Sequence, residues 1–371
     1  MKNKLLFSKY IIIGVLVLFA TLSCQAEQKK QFAEVDDIIK TVELENDFAE
    51  AFKITYHQAY IEINIIDPGT KETVDTYKIS KAEKTPKGMF PRETEGVVAL
   101  SATHVGMLRK LGLESKITGF SNFSYLCNPM SESEVEEVGD LGMSDAEIFV
   151  AVNQDVVLYS GFNDNAPILS KLAQANIKTF KIFEWKETHP MGRAEWIKVY
   201  GAIFHKEKEA QAIFDDIKAN YYGITDKLKL AEKGPEVFAG TYFGDIFNVP
   251  AGESYMAQLF KDANINYKYS KTEGTGSLSL GLEEIITNNK DTEFWLNAGA
   301  SNKKELLKQS QKFEMLKAVR TGKLYTYFNN TNCFWESSPI EPHLILEDLG
   351  KIFHPDLFDE HELHFYELME E

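Results

Sequence analysis

Several features that announce a chemistry are missing from this chain. No glycine-rich phosphate cradle runs into Lys-Ser or Lys-Thr, and no Gly-x-Ser-x-Gly nucleophile elbow occurs. No catalytic engine is visible, and the expectation is a protein that is not an enzyme and needs no cofactor. Positive charge is also short. The formal net charge is −16, and the first 23 residues carry three lysines and no acid, leaving −19 on the remainder. Such a surface repels nucleic acid and anionic lipid headgroups, so a nucleic-acid partner is not expected. Cysteine is scarce, with three residues in 371. Cys24 ends the leader, so Cys127 and Cys333 are left. They are expected as free or buried thiols, since sequence does not give their separation in space.

The single long apolar run, Tyr10 to Leu22, follows lysines at 2, 4 and 9 and precedes small residues and Cys24. A charged start, a short apolar core and a small-residue exit describe a secretory leader rather than a membrane span. The cysteine at the exit resembles a bacterial lipoprotein signal, which makes Cys24 a candidate lipidated residue and the membrane an expected partner through that anchor. Plain secretion is the other reading, because Leu22 lies two residues before the cysteine rather than three. Residues 1–24 are thus the leader and 25–50 a polar tether.

A chain of this length and 44% hydrophobic content has room for two cores. Between them the sequence places one long helix. Over residues 206–232, Ala210, Phe214, Ile217, Tyr221, Ile224 and Leu228 advance by alternating steps of four and three, one stripe of an α-helix. At about 1.5 Å per residue it spans roughly 35 to 40 Å, enough to join two lobes. The predicted fold class is α/β, with two lobes of mostly parallel strands covered by helices, residues 51–205 and 233–371, joined by this strut.

Before the strut, a hairpin is predicted around Pro68-Gly69, followed by strands near 97–100, 117–120, 156–159 and 179–183 alternating with helices. After it come strands near 236–239, 293–297 and 323–327, one unbroken helix over 305–319, a closing helix over 339–352 and a charged tail. In parallel sheets ligands meet the loops beyond the strand carboxyl ends. That rule nominates Thr103, His104, Asn122, Ser160, Glu184, Trp185, Thr241, Tyr242, Glu253, Tyr255, Asn297, Phe328, Asn330, Trp335 and Glu336. The set is rich in aromatics and poor in arginine, which suits a bulky, partly apolar ligand. Arg92, Arg109 and Arg193 are cations that could approach from elsewhere. His361 and His364 have helical spacing but lack a third ligand nearby, so they are read as solvated surface and no metal site is expected.

VVALSATHVGMLRKLGLESKITGFSN, VGDLGMSDAEIFVAVNQDVVLYS, LSLGLEEII with EFWLNAG, and FWESSPIEPHLILEDLGKIFHPDLF together resemble the substrate-binding lipoproteins of ABC importers for ferric siderophores, haem and cobalamin. Asn153-Gln154 departs from the common Lys-Pro at that turn. The amino-terminal hairpin is similar to Bacteroidetes-type versions. The resemblance covers roughly residues 50 to 360 and implies a small-molecule metal chelate held between two lobes, and a monomer that delivers it to an ABC permease and its ATPase. It also implies permease-docking glutamates, by motif position Glu147 and Glu283, with Glu284 as an adjacent competitor. The implied location is the cell envelope, facing the periplasm.

Overall fold

A computed structural model of the chain describes residues 41–130, 134–142, 145–152 and 154–371. The leader with Cys24, most of the expected tether, and Asn153 lie outside the described residues. The first element is an antiparallel sheet of β1 (Val42–Glu43), β2 (Phe52–Tyr56), β3 (Tyr60–Ile66) and β4 (Thr73–Ser80), paired in that order. Strands β3 and β4 are the predicted hairpin. Strict alternation along β3 buries Ile61, Ile63 and Ile65 on one face.

Residues 41–50, expected in the tether, belong to this folded unit. Two buried carboxylates hold them. Glu195 accepts the backbone N–H groups of Asp47, Phe48 and Ala49, each at 2.8 Å, and Glu187 accepts those of Glu50 at 2.9 Å and Ala51 at 3.0 Å. Lys198 pairs with Glu195 at 2.6 Å, so the buried charge is both neutralised and hydrogen-bonded.

The next strands, β5 (Val97–Ala99), β6 (Ile117–Phe120), β7 (Glu136–Glu137), β8 (Val156–Ser160) and β9 (Thr179–Ile182), form a parallel sheet in the order β7-β6-β5-β8-β9. Helices α1 (Ala102–Lys110), α2 (Ala146–Ala151) and α3 (Pro167–Gln174) return the chain between strands. Every residue of β8 is buried, as both faces of a parallel sheet require. Then α4 (Pro190–Glu195) and α5 (Ile197–Ile203) lead into the strut, α6 (Glu207–Lys229). All six residues of the predicted stripe are buried, joined by Thr225. Acids in the first turn and lysines in the last match the helix dipole.

Beyond the strut, β10 (Glu236–Ala239) opens the second lobe. An antiparallel sheet of β11 (Thr241–Phe243), β12 (Ile246–Pro250) and β14 (Ser277–Gly281) stands beside it. Helix α7 (Tyr255–Asp262) precedes β13 (Asn266–Tyr267), and α8 (Leu282–Asn289) precedes β15 (Phe294–Leu296). The helix expected over 305–319 is broken into α9 (Lys303–Gln309), a 3-10 turn and α10 (Lys317–Thr321). Ser310 causes the break: its backbone is extended, and its hydroxyl caps the next turn at Lys312 N, 3.3 Å away. Strand β16 (Leu324–Thr326) is followed by α11 (Thr331–Ser337), read as loop from sequence, and by α12 (Pro342–Phe353). The charged tail is no solvated appendage, because β17 (Glu367–Leu368) completes the sheet β13-β10-β15-β16-β17, antiparallel to β16. Asp348, fully buried on α12, accepts N–H from His364, Phe365 and Tyr366, and its Oδ1 lies 2.8 Å from His361 Nε2. His361 is therefore half of a structural pair.

Besides the strut, α11 unites the lobes. Leaving the carboxyl end of β16, it crosses to α1 and packs backbone against backbone. A Cβ placed on Gly106 would lie 1.8 Å from the Glu336 carbonyl oxygen. Thr103 Oγ1 donates to Trp335 O at 3.0 Å, and the buried Glu336 carboxylate takes the Arg109 guanidinium on one oxygen and Cys127 N, at 2.9 Å, on the other. Asn332 donates to Ser124 O and Leu126 O. Cys127 and Cys333 are joined as a disulfide across the same contact, with Cα atoms 4.4 Å apart, which corrects the expectation of free thiols. Covered on both sides, α1 buries His104 completely, with Nε2 3.4 Å from Ser160 Oγ. Burial lowers the imidazole pKa to about 3, a hydrogen bond to the Leu158 backbone opposing.

Two predictions follow from this packing. Gly106→Ala destabilises the protein by about 1–3 kcal/mol through overpacking, whereas Gly223→Ala, with nothing within 4 Å of the new methyl, stabilises the strut by roughly 0.5–1 kcal/mol; urea unfolding reads both. Since the folded imidazole of His104 titrates below the unfolded one, the unfolded chain binds more protons between about pH 3 and 6.5, and stability is lost as pH falls through that window. Melting temperatures of His104→Leu should fall less steeply than wild type over the same acid range.

Candidate functional site

Each parallel sheet reverses its strand order at its first strand, between β5 and β8 in one lobe and between β10 and β15 in the other. A crevice opens at such a switch point beyond the carboxyl ends. Here the residues nominated in the crevices largely satisfy one another. His104 meets Ser160, as described. Thr241 Oγ1 donates to Asn297 O at 2.9 Å, and Asn297 Oδ1 accepts from the buried Tyr366 hydroxyl at 2.6 Å. Asn297 also takes a left-handed backbone, φ 62°, and Asn122 caps the short turn that begins at Phe123.

Direct ligand contact is therefore corrected for two of the nominees. His104 has no exposed surface, and Glu336 is 2% exposed with both carboxylate oxygens engaged in the α1–α11 clamp. Thr103, Ser160, Thr241 and Asn297 shape the crevice walls through the bonds just given. Asn330 is occupied with His364 O and Glu253 with Gly274 N, each at 3.0 Å.

Of the four exposed strand-end nominees, Trp185, Phe328 and Trp335 are aromatic, and the fourth is Glu253. Among the described residues, thirteen large apolar side chains are exposed, and seven lie in the segments that follow a parallel strand's carboxyl end. These are Tyr125 after β6, Phe162 after β8, Trp185 after β9, Phe243 and Ile246 after β10, and Phe328 and Trp335 after β16. Exposed apolar side chains at the same end of both sheets make this face the candidate ligand surface. In the first lobe Phe162 and Phe183 both pack edge-on against Trp185, at 6.0 and 5.4 Å. In the second, Trp335 stands edge-on to Tyr327, 6.3 Å away, which in turn lies flat on Phe334 at 3.8 Å. Tyr255, at the start of α7, lies under the Arg193 guanidinium at 4.4 Å and so joins the second lobe to α4. Arg193 is held by Glu184 at 3.6 Å; burial raises the Glu184 carboxyl pKa, with Arg193 opposing.

Tyr125, Phe162, Phe243, Ile246 and Lys186 are not among the residues nominated from sequence. Phe162 lies two residues past the nominated Ser160. Phe243 and Ile246 flank Gly244-Asp245, both at positive φ, a tight hairpin turn whose Gly-Asp signal is present in the sequence. The Tyr242 hydroxyl donates to Asp245 Oδ1 across that turn at 3.0 Å. Lys186 reaches back over Phe183 and Trp185, 4.7 and 5.6 Å from their ring centres. No group of three or more His, Cys, Asp or Glu side chains that could hold a metal ion occurs among the described residues.

Helices α2 and α8 each feed a parallel strand, so their first turns lie at the carboxyl-end face of their sheets. Glu147 and Glu283 occupy those turns and are exposed, one on each lobe; Glu283 is paired with Lys312, and Glu284 beside it is also exposed.

Comparison with known proteins follows the same outline. An uncharacterized lipoprotein of Methanocaldococcus jannaschii is 23% identical over 286 residues, 73% of this chain and 67% of its own. A second from that organism is 23% identical over 241 residues, and the match spans 59% of that protein's length. Among solved structures, a periplasmic heme binding protein of Pseudomonas aeruginosa superposes with a TM-score of 0.58 at 18% identity, over 71% of this chain and 93% of that one. The Helicobacter pylori protein CeuE, solved as a Ni-His complex, gives 0.58 at 13% identity, over 81% and 91%. These likenesses show the fold, two lobes of parallel sheet and helix. The family described as periplasmic binding protein matches residues 97–331, from the first residue of β5 to the first of α11, and the chain belongs to that family.

Proposed function

We propose that this protein is the extracytoplasmic solute-binding component of an ABC importer, taking an iron chelate, a siderophore or haem, between its lobes and handing it to the permease and its ATPase. The observation that carries the reading is the gathering of exposed aromatic side chains at the carboxyl ends of both sheets. A large ligand with apolar faces matches such a surface, since aromatic rings supply area with little loss of conformational freedom. Family membership supports the transport role, and the heme-binding neighbour is compatible with a flat chelate. Cobalamin by the same mechanism is the second reading, because the surface is equally suited to a neutral corrinoid. A bare divalent ion and a chelatase-like enzyme are less favoured, as the exposed surface offers rings rather than converging ligands.

Capture is a closing of two lobes on a ligand, with no bond made or broken and no resident cofactor required. Trp185 and Trp335 face it from opposite lobes, with Phe328, Tyr242 and Tyr255 around them, while Thr103, Ser160, Thr241, Asn122 and Asn297 keep the loops in shape. Delivery uses Glu147 and Glu283 as rim charges that meet basic side chains of the permease. For Glu283 this exchanges Lys312 for the partner's cation. Such contacts act on encounter and register more than on affinity. Cys24 supplies the lipid anchor, and the protein works as a monomer. Among the described residues no helix is long and apolar enough to cross a membrane.

Two measurements check this. Tryptophan fluorescence of the chain from Gln25 onward, titrated with haem, cyanocobalamin and a panel of ferric siderophores, should show saturable one-to-one quenching by one ligand class. Trp185→Phe or Trp335→Phe should weaken it about tenfold, the scale of one lost aromatic anchor; no saturable response to any ligand sinks the reading. The paired change Glu147→Gln with Glu283→Gln should leave the Kd for that ligand unchanged and slow its uptake into cells. An altered Kd with normal uptake would contradict the docking role.

A further inference from the structure

The antiparallel sheet β1–β4 lies outside the span shared with the family, which begins at residue 97. It is nevertheless built against the ligand-facing end of the first lobe. Tyr77 of β4 stacks on Phe180 of β9 at 4.1 Å, and its hydroxyl accepts Lys181 N at 3.1 Å. The sheet thus covers the edge strand β9, the strand whose carboxyl end presents Trp185.

Two lysines stand at that end, and the added sheet supplies an aspartate to each. Lys186, half-buried beside the Trp185 ring, is paired with Asp67 in the β3–β4 turn. Lys181, buried under Phe183, is held by Asp75 of β4 at 2.5 Å and by Asp164 of the β8 loop at 2.8 Å. The Lys186 ammonium lowers the Asp67 carboxyl pKa, with desolvation opposing and the N–H groups of Thr70 and Gly69 helping. So Lys186, the cation beside Trp185, is neutralised from outside the shared core, and Lys181 is neutralised both from outside it, by Asp75, and from within it, by Asp164.

We propose that the added sheet is a charge filter for the ligand site, in which Asp67 masks Lys186 and Asp75 masks Lys181, so that the site disfavours anionic ligands relative to neutral ones. The proposal rests on the solute-binding reading and adds the charge class that the site selects. Among the described residues, a ligand carrying carboxylates or catecholate oxygens finds Lys186, the cation beside Trp185, already paired, and it meets the Asp67 carboxylate instead. A neutral chelate meets only the rings. Specificity of this kind comes from an element that repels the competitor as much as from one that attracts the cargo.

The masking bond is separable from the turn that carries it. Asp67 Oδ1 accepts Gly69 N at 2.9 Å and Thr70 N at 3.1 Å, whereas Oδ2 takes Lys186. Asp67→Asn keeps the first oxygen and replaces the second by an amide nitrogen, so the turn stays and the cation is released. Isothermal titration of the full-length chain in detergent compares wild type, Asp67→Asn, Lys186→Gln and the double variant. The probes are two anionic chelates, haem and a ferric tris-catecholate, and two neutral ones, a ferric tris-hydroxamate and cyanocobalamin.

Asp67→Asn should bind the anionic probes about tenfold tighter, as one unmasked, partly buried cation allows. Neutral probes should change less than about twofold, and Lys186→Gln added to Asp67→Asn should abolish the gain. Anionic probes that gain nothing, or a gain shared equally by neutral probes or surviving the double variant, overturn the filter while leaving any wild-type binding as support for the solute-binding reading. No saturable binding of any probe by any of the four proteins overturns that reading, and the filter with it.

Discussion

The contact between α1 and α11 is the constraint on which the rest of this structure depends. It is made at backbone distance over Gly106, so no side chain cushions it. Around it are gathered the Arg109–Glu336 ion pair, the bonds from Thr103 and Asn332, and the Cys127–Cys333 disulfide. Because α1 starts at the carboxyl end of β5 and α11 follows that of β16, the clamp ties the two sheets at the ends where ligand surfaces are found. A disulfide closing a loop of this length is worth up to about 5 kcal/mol in the loop-entropy account. The strut α6 joins the lobes through their helices, and the clamp joins them at the strand carboxyl ends. Two such ties leave little freedom for a wide hinge.

A second theme is the use of buried carboxylates to dock segments that lie outside the shared family core. Glu195 and Glu187 gather the N–H groups of residues 47–51, and Asp348 gathers those of 364–366. Each is a helix or turn side chain acting as a cap for a strand-like segment, the inverse of the usual helix cap. Charge-assisted bonds of this kind are roughly twice as strong as neutral ones, and three on one carboxylate offset much of its desolvation. The amino-terminal sheet is thereby held firmly enough to form one wall of the first lobe.

Local periodicity made most of the framework legible. The strut stripe from Ala210 to Leu228, the β3–β4 hairpin, and strands such as Val156–Ser160 and Glu236–Ala239 are all encoded within a few residues of themselves. What escaped depends on partners far along the chain. The order of residues 41–50 rests on acids 137 to 148 positions away, and the pairing of Cys127 with Cys333 on a separation of 206. Helix α11 was hidden because seven residues reading TNCFWES are poor in helical signal and become helical by packing on α1. The strand-end rule named loops that the structure does place beyond the strand carboxyl ends. It did not tell the residues that hold a loop, such as His104 and Asn297, from those that face outward, such as Trp185 and Trp335, since that depends on what covers each one. Phe162 and Phe243 were within reach of the same rule extended by a few residues.

The central claim is that the aromatic surface at the joined carboxyl ends holds one intact chelate. Native mass spectrometry of the protein mixed with equimolar haem, cobalamin and ferric siderophores tests it most directly, because all candidates compete for one site in one spectrum. The account predicts a single added mass, that of a whole metal chelate at one copy per chain, retained through gentle desolvation. Retention of a bare metal ion, of several ligands at once, or of none would contradict it.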